Sequence, residues 1–198
     1  CLGYFGKCTL PGKDIAKISN VEACTREPQE IFIGDTNKGG IILVDVPGTG
    51  EDPERHQEYI KLYESLTPEL DLVLWTIKAD DRKYASGIDV YKKILKPNIK
   101  NCPVVFVITQ VDKIEPYRDW DLANNHPGSE QEKNIQLKIN DISDKFDIST
   151  NKIIPISAND SYNLKKLVSK VIEVLPNEKK YSLSGEAKEE NVTEESRE

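Results

Sequence analysis

The stretch Gly39–Gly50, GGIILVDVPGTG, decides the fold that we expect for this chain. Its apolar run Ile41–Val44 is β-branched at three of its four positions, which is typical of a strand buried on both faces in the middle of a parallel sheet. Asp45 stands at the carboxyl end of this strand, and Pro47-Gly48 then turns the chain across the sheet edge. Open α/β sheets bind their ligands at that edge.

Asp45 and the turn after it have the chemistry of a phosphate and metal site. A carboxylate at this position can hold Mg²⁺ through a water molecule, and the Gly48 N–H can contact a terminal phosphate. An ordinary strand followed by a Pro-Gly turn would have the same sequence. The rest of the chain therefore has to decide between these two interpretations.

Length and composition predict one soluble α/β domain. The chain has 198 residues, 31% charged and 37% apolar, with a mean hydropathy of −0.54, and no apolar run approaches the roughly 18 residues of a membrane-spanning helix. The net charge of −7 argues against a protein that coats nucleic acid by neutralising phosphates, although a local RNA contact stays open.

The four cysteines, Cys1, Cys8, Cys24 and Cys102, form no C-x-x-C pair. We interpret them as free thiols of a protein in a reducing, cytoplasmic compartment. The chain begins with Cys1 and contains no Met, so we expect a fragment or a truncated gene product.

Residues 1–20 contain a partial match to the sequence pattern of a phosphate-binding loop. The pattern is G-x-x-x-x-G-K-[S/T], but Cys1 stands at the first Gly position and Cys8 at the hydroxyl position, and Pro11-Gly12 interrupts the chain soon after. We therefore expect no working phosphate loop here, only an irregular remnant.

From residue 21 onward, apolar patterns alternate between strand and helix. The first two strands flank a turn-rich segment, Asp35–Gly40, which favours an antiparallel hairpin. The others are separated by helices, which favours a parallel sheet. We expect strands at Gln29–Gly34, Ile41–Val46, Asp71–Ile77, Pro103–Ile108 and Lys152–Ile156. We expect helices from Asp52-Pro53 to Leu66, before Pro97, around Ile135 to Phe146, and from a cap at Asn159 or Asp160 to Leu175.

Two more loops leave the carboxyl ends of predicted strands. Thr109-Gln110-Val111-Asp112 follows one of them, and Ser157-Ala158 follows another. A carboxylate such as Asp112 can accept from the N1–H and N2–H₂ groups of guanine, a pair that adenine lacks. Ser157-Ala158 would bring a backbone N–H to the guanine O6, and the hydroxyl of Thr25 could close over Mg²⁺.

With these motifs in this order, the chain resembles the G domain of bacterial Era-like GTPases, the TrmE–Era–EngA group, and it is similar to the YfjP/YeeP-like branch. The resemblance implies a three-layer α/β P-loop NTPase fold with a mostly parallel sheet and one antiparallel edge strand, lacking the first strand and phosphate loop. It implies a G domain at residues 21–176. The composition of residues 177–198, with seven Glu, three Lys and one Arg and almost no apolar residues, predicts a disordered acidic tail.

The resemblance also implies roles for single residues. Thr25 would be the switch I threonine and a metal ligand, and Asp45 to Gly48 the D-x-x-G motif. Thr109, Gln110 and Asp112 would bind the base together with Ser157 and Ala158. The family's ligands are GTP or GDP with Mg²⁺, and its partners include the ribosome or rRNA.

Departures from the family pattern limit the predicted activity. Thr109 and Gln110 replace the usual Asn-Lys, which implies weak base preference, and Thr49 replaces a water-positioning Gln, which implies slow hydrolysis. The missing phosphate loop removes the main cradle of the β- and γ-phosphates. We therefore expect a GTP-binding protein that binds GTP poorly and whose hydrolysis is impaired, and no catalytic residue is assigned. The alternatives are a degenerate partner-binding G domain, for example at the ribosome, an unrelated flavodoxin-like domain, or an adenine-nucleotide enzyme. We expect His56 and His126 to be solvated and Trp75 and Trp120 to serve packing.

Overall fold

A computed structural model describes residues 29–35, 39–48 and 56–175. The predictions for residues 1–20, for Thr25, for the start of the first helix at Asp52-Pro53 and for the tail at 177–198 lie outside these ranges. The three cysteines before residue 29 also lie outside them, whereas Cys102 is a buried free thiol.

The first two strands form the predicted antiparallel hairpin. β1 covers Gln29–Asp35 and β2 covers Gly39–Asp45, with Ile31 opposite Leu43. The prediction that β2 is buried on both faces is wrong at Ile42, whose side chain is 59% exposed. Burial rises only toward the carboxyl end, because there the chain joins the main core at Val46.

Three parallel strands form the central sheet, in the spatial order β3-β4-β5. They are Val73–Lys78, Val104–Thr109 and Ile153–Pro155. Phe106 in β4 lies opposite Trp75 on one side and Ile153 on the other. The prediction of a largely parallel sheet is confirmed, with strand ends within two residues of the expected positions.

Helices connect these strands. Their bounds are α1 His56–Leu66, α2 Ala85–Val90, a π-helical turn Tyr91–Leu95, α3 Lys96–Asn98, α4 Ser129–Phe146 and α5 Leu164–Val174. None of the helices in the described ranges combines the length and apolarity needed to cross a membrane.

Two helix boundaries differ from the prediction. The second helix does not stop before Pro97, because the Lys96 N–H donates to the Tyr91 carbonyl in the wider π turn and Pro97, which has no N–H to place, enters the last turn. The last helix is not capped by Asn159 or Asp160, because it begins at Leu164, after Asn163 in a left-handed conformation.

The core has two layers, one on each face of the sheet, because successive side chains of β4 point in opposite directions. Val104, Phe106 and Ile108 pack with residues of α1, the π turn and α4, whereas Val105 and Val107 pack with α5. This arrangement confirms the predicted three-layer architecture.

Trp75 serves packing, as predicted. Its indole is 1% exposed and lies against the rings of Tyr91, Phe106 and Phe146, with ring centroids 6.0–6.4 Å apart. Edge-on aromatic contacts of this kind stabilise a core beyond simple area burial, so this cluster fixes α4 against the sheet.

Candidate functional site

The two predicted base-binding loops lie side by side where β4 and β5 end. The Ile156 N–H donates to the Ile108 carbonyl at 2.8 Å, and the Val111 N–H donates to the Ile156 carbonyl at 3.2 Å. These bonds join the loop after β4 to the segment after β5. The parallel sheet therefore brings Asp112 and Ser157-Ala158 to the same edge, as the sequence predicts.

A pocket of about 690 Å³ opens beside these loops. Three segments form its wall: the loop after β4, the polar passage at residues 114–128 that follows this loop, and the loop after β5. The lining residues are Asp112, Lys113, Tyr117, Arg118, Trp120, Leu122, Asn159 and Asp160. Of the predicted site residues, Asp112 belongs to this wall.

Asp112 lines the pocket and carries a buried acceptor that the described part of the protein does not use. Its Oδ1 atom is buried and has no hydrogen-bond partner among the described residues. A buried polar atom without a partner costs about 1–3 kcal/mol, so such an atom in a pocket wall points to a ligand that donates. The N1–H and N2–H₂ edge of guanine is a donor of this kind.

Ser157 acts as a support for the loop after β5. Its side chain is buried, its Oγ–H donates to Asp160 Oδ2 at 2.9 Å, and its N–H donates to the Tyr162 carbonyl at 3.3 Å. The backbone N–H of Ser157 is therefore already engaged. The N–H of Ala158 donates to no backbone carbonyl in the part of the chain that the structure describes, and it is one donor that this loop can offer to a ligand.

Thr109 and Gln110 hold the loop after β4 in shape. The Thr109 carbonyl accepts from the Ala79 N–H at 2.9 Å, and the Gln110 Oε1 accepts from Lys113 Nζ at 2.9 Å. Gln110 has a φ of 60°, a left-handed conformation that is strained for a non-glycine residue and is concentrated at functional sites. The Gln110 side chain is thus bound to Lys113 within the loop.

Gln131 is a functional residue that the sequence analysis missed. Its side chain is fully buried, and its Nε2 donates to the carbonyls of Asp112 at 3.1 Å and Ile114 at 2.8 Å. Gln131 therefore fixes the backbone that carries the Asp112 carboxylate. A signal was available, because Gln131 lies four residues before Ile135, on the apolar face of the helix, where a polar residue needs a buried partner.

Asp119 orders the polar passage between the loop after β4 and α4. The Asp119 Oδ2 accepts from the N–H groups of Glu130 at 2.9 Å and Gln131 at 3.1 Å, so it caps the first turn of α4. Gly128 makes this approach possible, because a Cβ there would lie 2.4 Å from the Asp119 carbonyl oxygen. Asp119 and Gln131 together connect the pocket wall to α4.

Tyr162 packs against this passage from the other side. Its ring lies edge-on to Trp120, with centroids 5.5 Å apart, and to His126, at 5.3 Å. Burial raises the pKa of the Tyr162 hydroxyl above its usual value, and the charge of Glu132 adds to the effect. His126 is exposed, as predicted, and it also has this ring contact and a hydrogen bond to the Pro127 carbonyl.

Asp45 and Gly48 belong to a second region of the molecule. The turn after β2 is buried, and the Tyr63 hydroxyl of α1 donates to the Pro47 carbonyl. Neither Asp45 nor Gly48 lines the pocket at Asp112. Within the described ranges no group of three or more His, Cys, Asp or Glu residues forms a metal site, but the Asp45 carboxylate is the hard oxygen ligand that Mg²⁺ prefers.

Comparison with known proteins agrees with this geometry. The family described as 50S ribosome-binding GTPase matches residues 8–110. The chain is 32% identical over 165 residues to the uncharacterized protein YfjP of Escherichia coli and 36% identical over 167 residues to YkfA of the same organism. Each match covers 83% of this chain and 55% of the other protein, so the chain spans about half the length of the curated relatives it matches.

Solved structures of Era have the same fold. One is Era in complex with MgGDPNP and nucleotides 1506–1542 of 16S ribosomal RNA, at a TM-score of 0.59 and 26% identity, covering 82% of this chain and 49% of that one. Another is an Aquifex aeolicus Era variant bound to GDP·AlF₄⁻, at a TM-score of 0.61 and 26% identity, covering 85% and 51%. The chain belongs to the family of 50S ribosome-binding GTPases and has an Era-like G-domain fold.

Proposed function

We propose that this chain binds a guanine nucleotide in the pocket between the loops after β4 and β5. The observation that carries the proposal is the buried Oδ1 of Asp112, which has no partner in the described part of the protein. Era relatives have been solved with guanine nucleotides, which supports the same ligand class here.

The hydrogen-bonding groups of the two loops match guanine. Asp112 accepts from N1–H and N2–H₂, and the Ala158 N–H donates to O6. Ser157, Thr109 and Gln110 shape the two loops through bonds within the protein. Adenine has neither the donor pair nor the O6 acceptor, so an adenine nucleotide would leave Asp112 without a partner.

Mg²⁺ and the phosphates belong to the other region of the site. Thr25 and Asp45 would hold Mg²⁺, which supplies charge neutralisation for the phosphates, and the Gly48 N–H would contact the terminal phosphate. Cys1 and Cys8 at the phosphate-loop positions and Thr49 after Gly48 support binding with impaired hydrolysis. The protein would act in the cytoplasm as a G domain spanning residues 21–176.

Calorimetric titration with GDP, GTP and ADP, each with Mg²⁺, tests this proposal. We expect micromolar binding of GDP and GTP and none of ADP, and we expect Asp112→Ala to abolish it. Asp144→Ala is the matched control, because Asp144 is an exposed carboxylate of α4. The proposal is refuted if the folded chain binds neither GDP nor GTP, or if it binds ADP with the same affinity as GDP.

A second candidate is a G domain that binds a partner without using nucleotide. It is favoured by the ribosomal family description and by the relative solved with 16S ribosomal RNA, together with the departures in the phosphate motif. Co-sedimentation with purified ribosomal subunits separates the two. Binding that is unchanged by GDP, GTP or their removal supports the partner-binding function, and nucleotide-dependent binding supports the nucleotide switch.

A further inference from the structure

Trp120 lies in the wall of the pocket at Asp112, on the polar passage between the loop after β4 and α4. It lines the same cavity as Asp112, Asn159 and Asp160. The sequence predicts a packing role for Trp120, and its contact with Tyr162 agrees with that role.

The indole N–H of Trp120 is a donor without an acceptor. The side chain is 8% exposed, and its Nε1 atom is buried with no hydrogen-bond partner in the described part of the chain. Buried tryptophan N–H groups usually find a partner, and an unpaired one destabilises the folded state. Two residues that line the pocket therefore each carry an unused buried polar atom: an acceptor on Asp112 and a donor on Trp120.

The ring that carries this donor is held from several sides. Tyr162 contacts it edge-on at 5.5 Å, and the Trp120 N–H of the backbone donates to the Tyr117 carbonyl at 3.4 Å. The preceding residue, Asp119, is anchored on the first turn of α4. A side chain held in this way loses little freedom when a ligand binds, so its hydrogen bond contributes to affinity at small entropic cost.

We infer that Trp120 is a further base-binding residue, whose indole N–H donates to the O6/N7 edge of the bound guanine. Guanine carries donors on its N1/N2 edge and acceptors at O6 and N7, so one base can satisfy both Asp112 and Trp120. The inference rests on the proposed function and adds a contact to the same site. A bond to O6 would add specificity, because adenine carries an amino group at that position, whereas N7 is an acceptor in both bases.

Trp120→Phe tests this contact, since phenylalanine keeps an aromatic ring against Tyr162 while it removes the N–H donor and part of the indole volume, and the comparison of nucleotides below separates these two losses. Binding of GDP, 7-deaza-GDP, which lacks N7, and 6-thio-GDP, which has a poor acceptor at position 6, is measured for the chain and for the variant. We expect Trp120→Phe to weaken GDP binding by roughly five- to ten-fold. That loss should shrink toward zero for the analogue that lacks the acceptor used.

An equal loss for all three nucleotides would overturn the inference, because the indole N–H would then act through the protein, for example on Asp112 or Gln131. No loss for any of them would also overturn it. If GDP does not bind to the unmodified chain, the proposed function fails as well, whereas normal GDP binding with a flat analogue comparison refutes only the role of Trp120.

Tryptophan fluorescence of the unmodified chain gives a second measurement that needs no variant. Trp75 lies 1% exposed in the core, so a change in emission and in acrylamide quenching upon addition of GDP reports on Trp120. We expect GDP to change the emission and reduce quenching, and ADP to do neither. Unchanged emission and quenching at saturating GDP would contradict a contact between the base and the indole.

Discussion

Replacing Asp112 with asparagine should convert the base preference of the pocket from guanine to xanthine. The carboxylate accepts two hydrogen bonds from guanine, whereas an amide offers one acceptor and turns a donor toward the second guanine donor. Xanthine carries a carbonyl oxygen in place of the 2-amino group, so the Asn amide can donate to it. The change therefore reverses one interaction and preserves the shape of the side chain.

The size of the effect follows from the state of Asp112 in the structure. Because its Oδ1 has no partner within the described residues, the substitution removes no described side-chain bond at that atom and should leave the free energy of unfolding unchanged. Hydrogen bonds to a charged group contribute about 1.5–3 kcal/mol each. Losing one and weakening the other should cost about 2–4 kcal/mol, or roughly 30- to 1000-fold in the Kd for GDP.

Calorimetric titration of Asp112→Asn with GDP and XDP measures this change, and urea unfolding checks stability. Asp144→Asn, the same substitution at an exposed position of α4, is the control and should bind GDP normally. The reasoning is refuted if GDP binding is unaffected by Asp112→Asn, or if GDP and XDP affinities fall by the same factor. The latter result would mean that Asp112 supports the fold of the loop without contacting the base.

Three further substitutions test the frame around the pocket, and alkylation of Cys102 tests the burial of the core. Gln131→Leu leaves two loop carbonyls without their donor and should lower the free energy of unfolding by about 1–3 kcal/mol while weakening GDP binding; urea unfolding at unchanged stability would contradict this. Asp119→Ala removes the cap of α4 and should lower the free energy of unfolding by about 1 kcal/mol. Gly128→Ala should lower it by about 1–3 kcal/mol through a clash with Asp119. A thermal midpoint equal to that of the unmodified chain would argue against the corresponding contact. Burial, assisted by the charge of Asp71, raises the pKa of Cys102 to about 11, so Cys102 should resist iodoacetamide at pH 8 in the folded protein and react in urea, as peptide mass spectrometry can show.

Local periodicity was sufficient to predict the elements that build the sheet and its covering helices. The parallel strands came from short apolar runs, and the faces of α4 and α5 came from apolar residues spaced by three or four positions. Ile135, Ile142 and Phe146 are all nearly inaccessible to solvent, as the pattern required. These predictions succeeded because each depends on residues close together in the chain.

The failures depend on contacts between distant residues. Nothing near Ile42 in the sequence shows that its end of β2 lies away from the core, where the side chain is 59% exposed. Asp160 has the chemistry of a helix cap, but it accepts from Ser157 instead, and α5 begins later. A cap and a loop support use the same side-chain oxygen, so the local sequence does not distinguish them.

The site was predicted in part for the same reason. Asp112 and Ser157-Ala158 could be placed together because parallel strands end at one edge of a sheet. The wall formed by Tyr117, Trp120 and Leu122 could not, because its path depends on the cap by Asp119 and on the close approach at Gly128. The role of Thr25 and the positions of the domain boundaries stay predictions, since Thr25 and those boundaries lie outside the described residues.

The base loop depends on the core through α4, and this has a consequence for how the site works. Gln131 bonds to the carbonyl of Asp112, while the same helix places Ile135 and Phe146 in the core. The geometry of the pocket wall at Asp112 is therefore fixed by packing that forms when the domain folds. Asp45 lies at the end of a separate hairpin, but the next residue of that hairpin's exit, Val46, belongs to the same core cluster as Ile135 and Phe146. Both parts of the candidate site therefore depend on one core, and a substitution that loosens this core should disturb both of them.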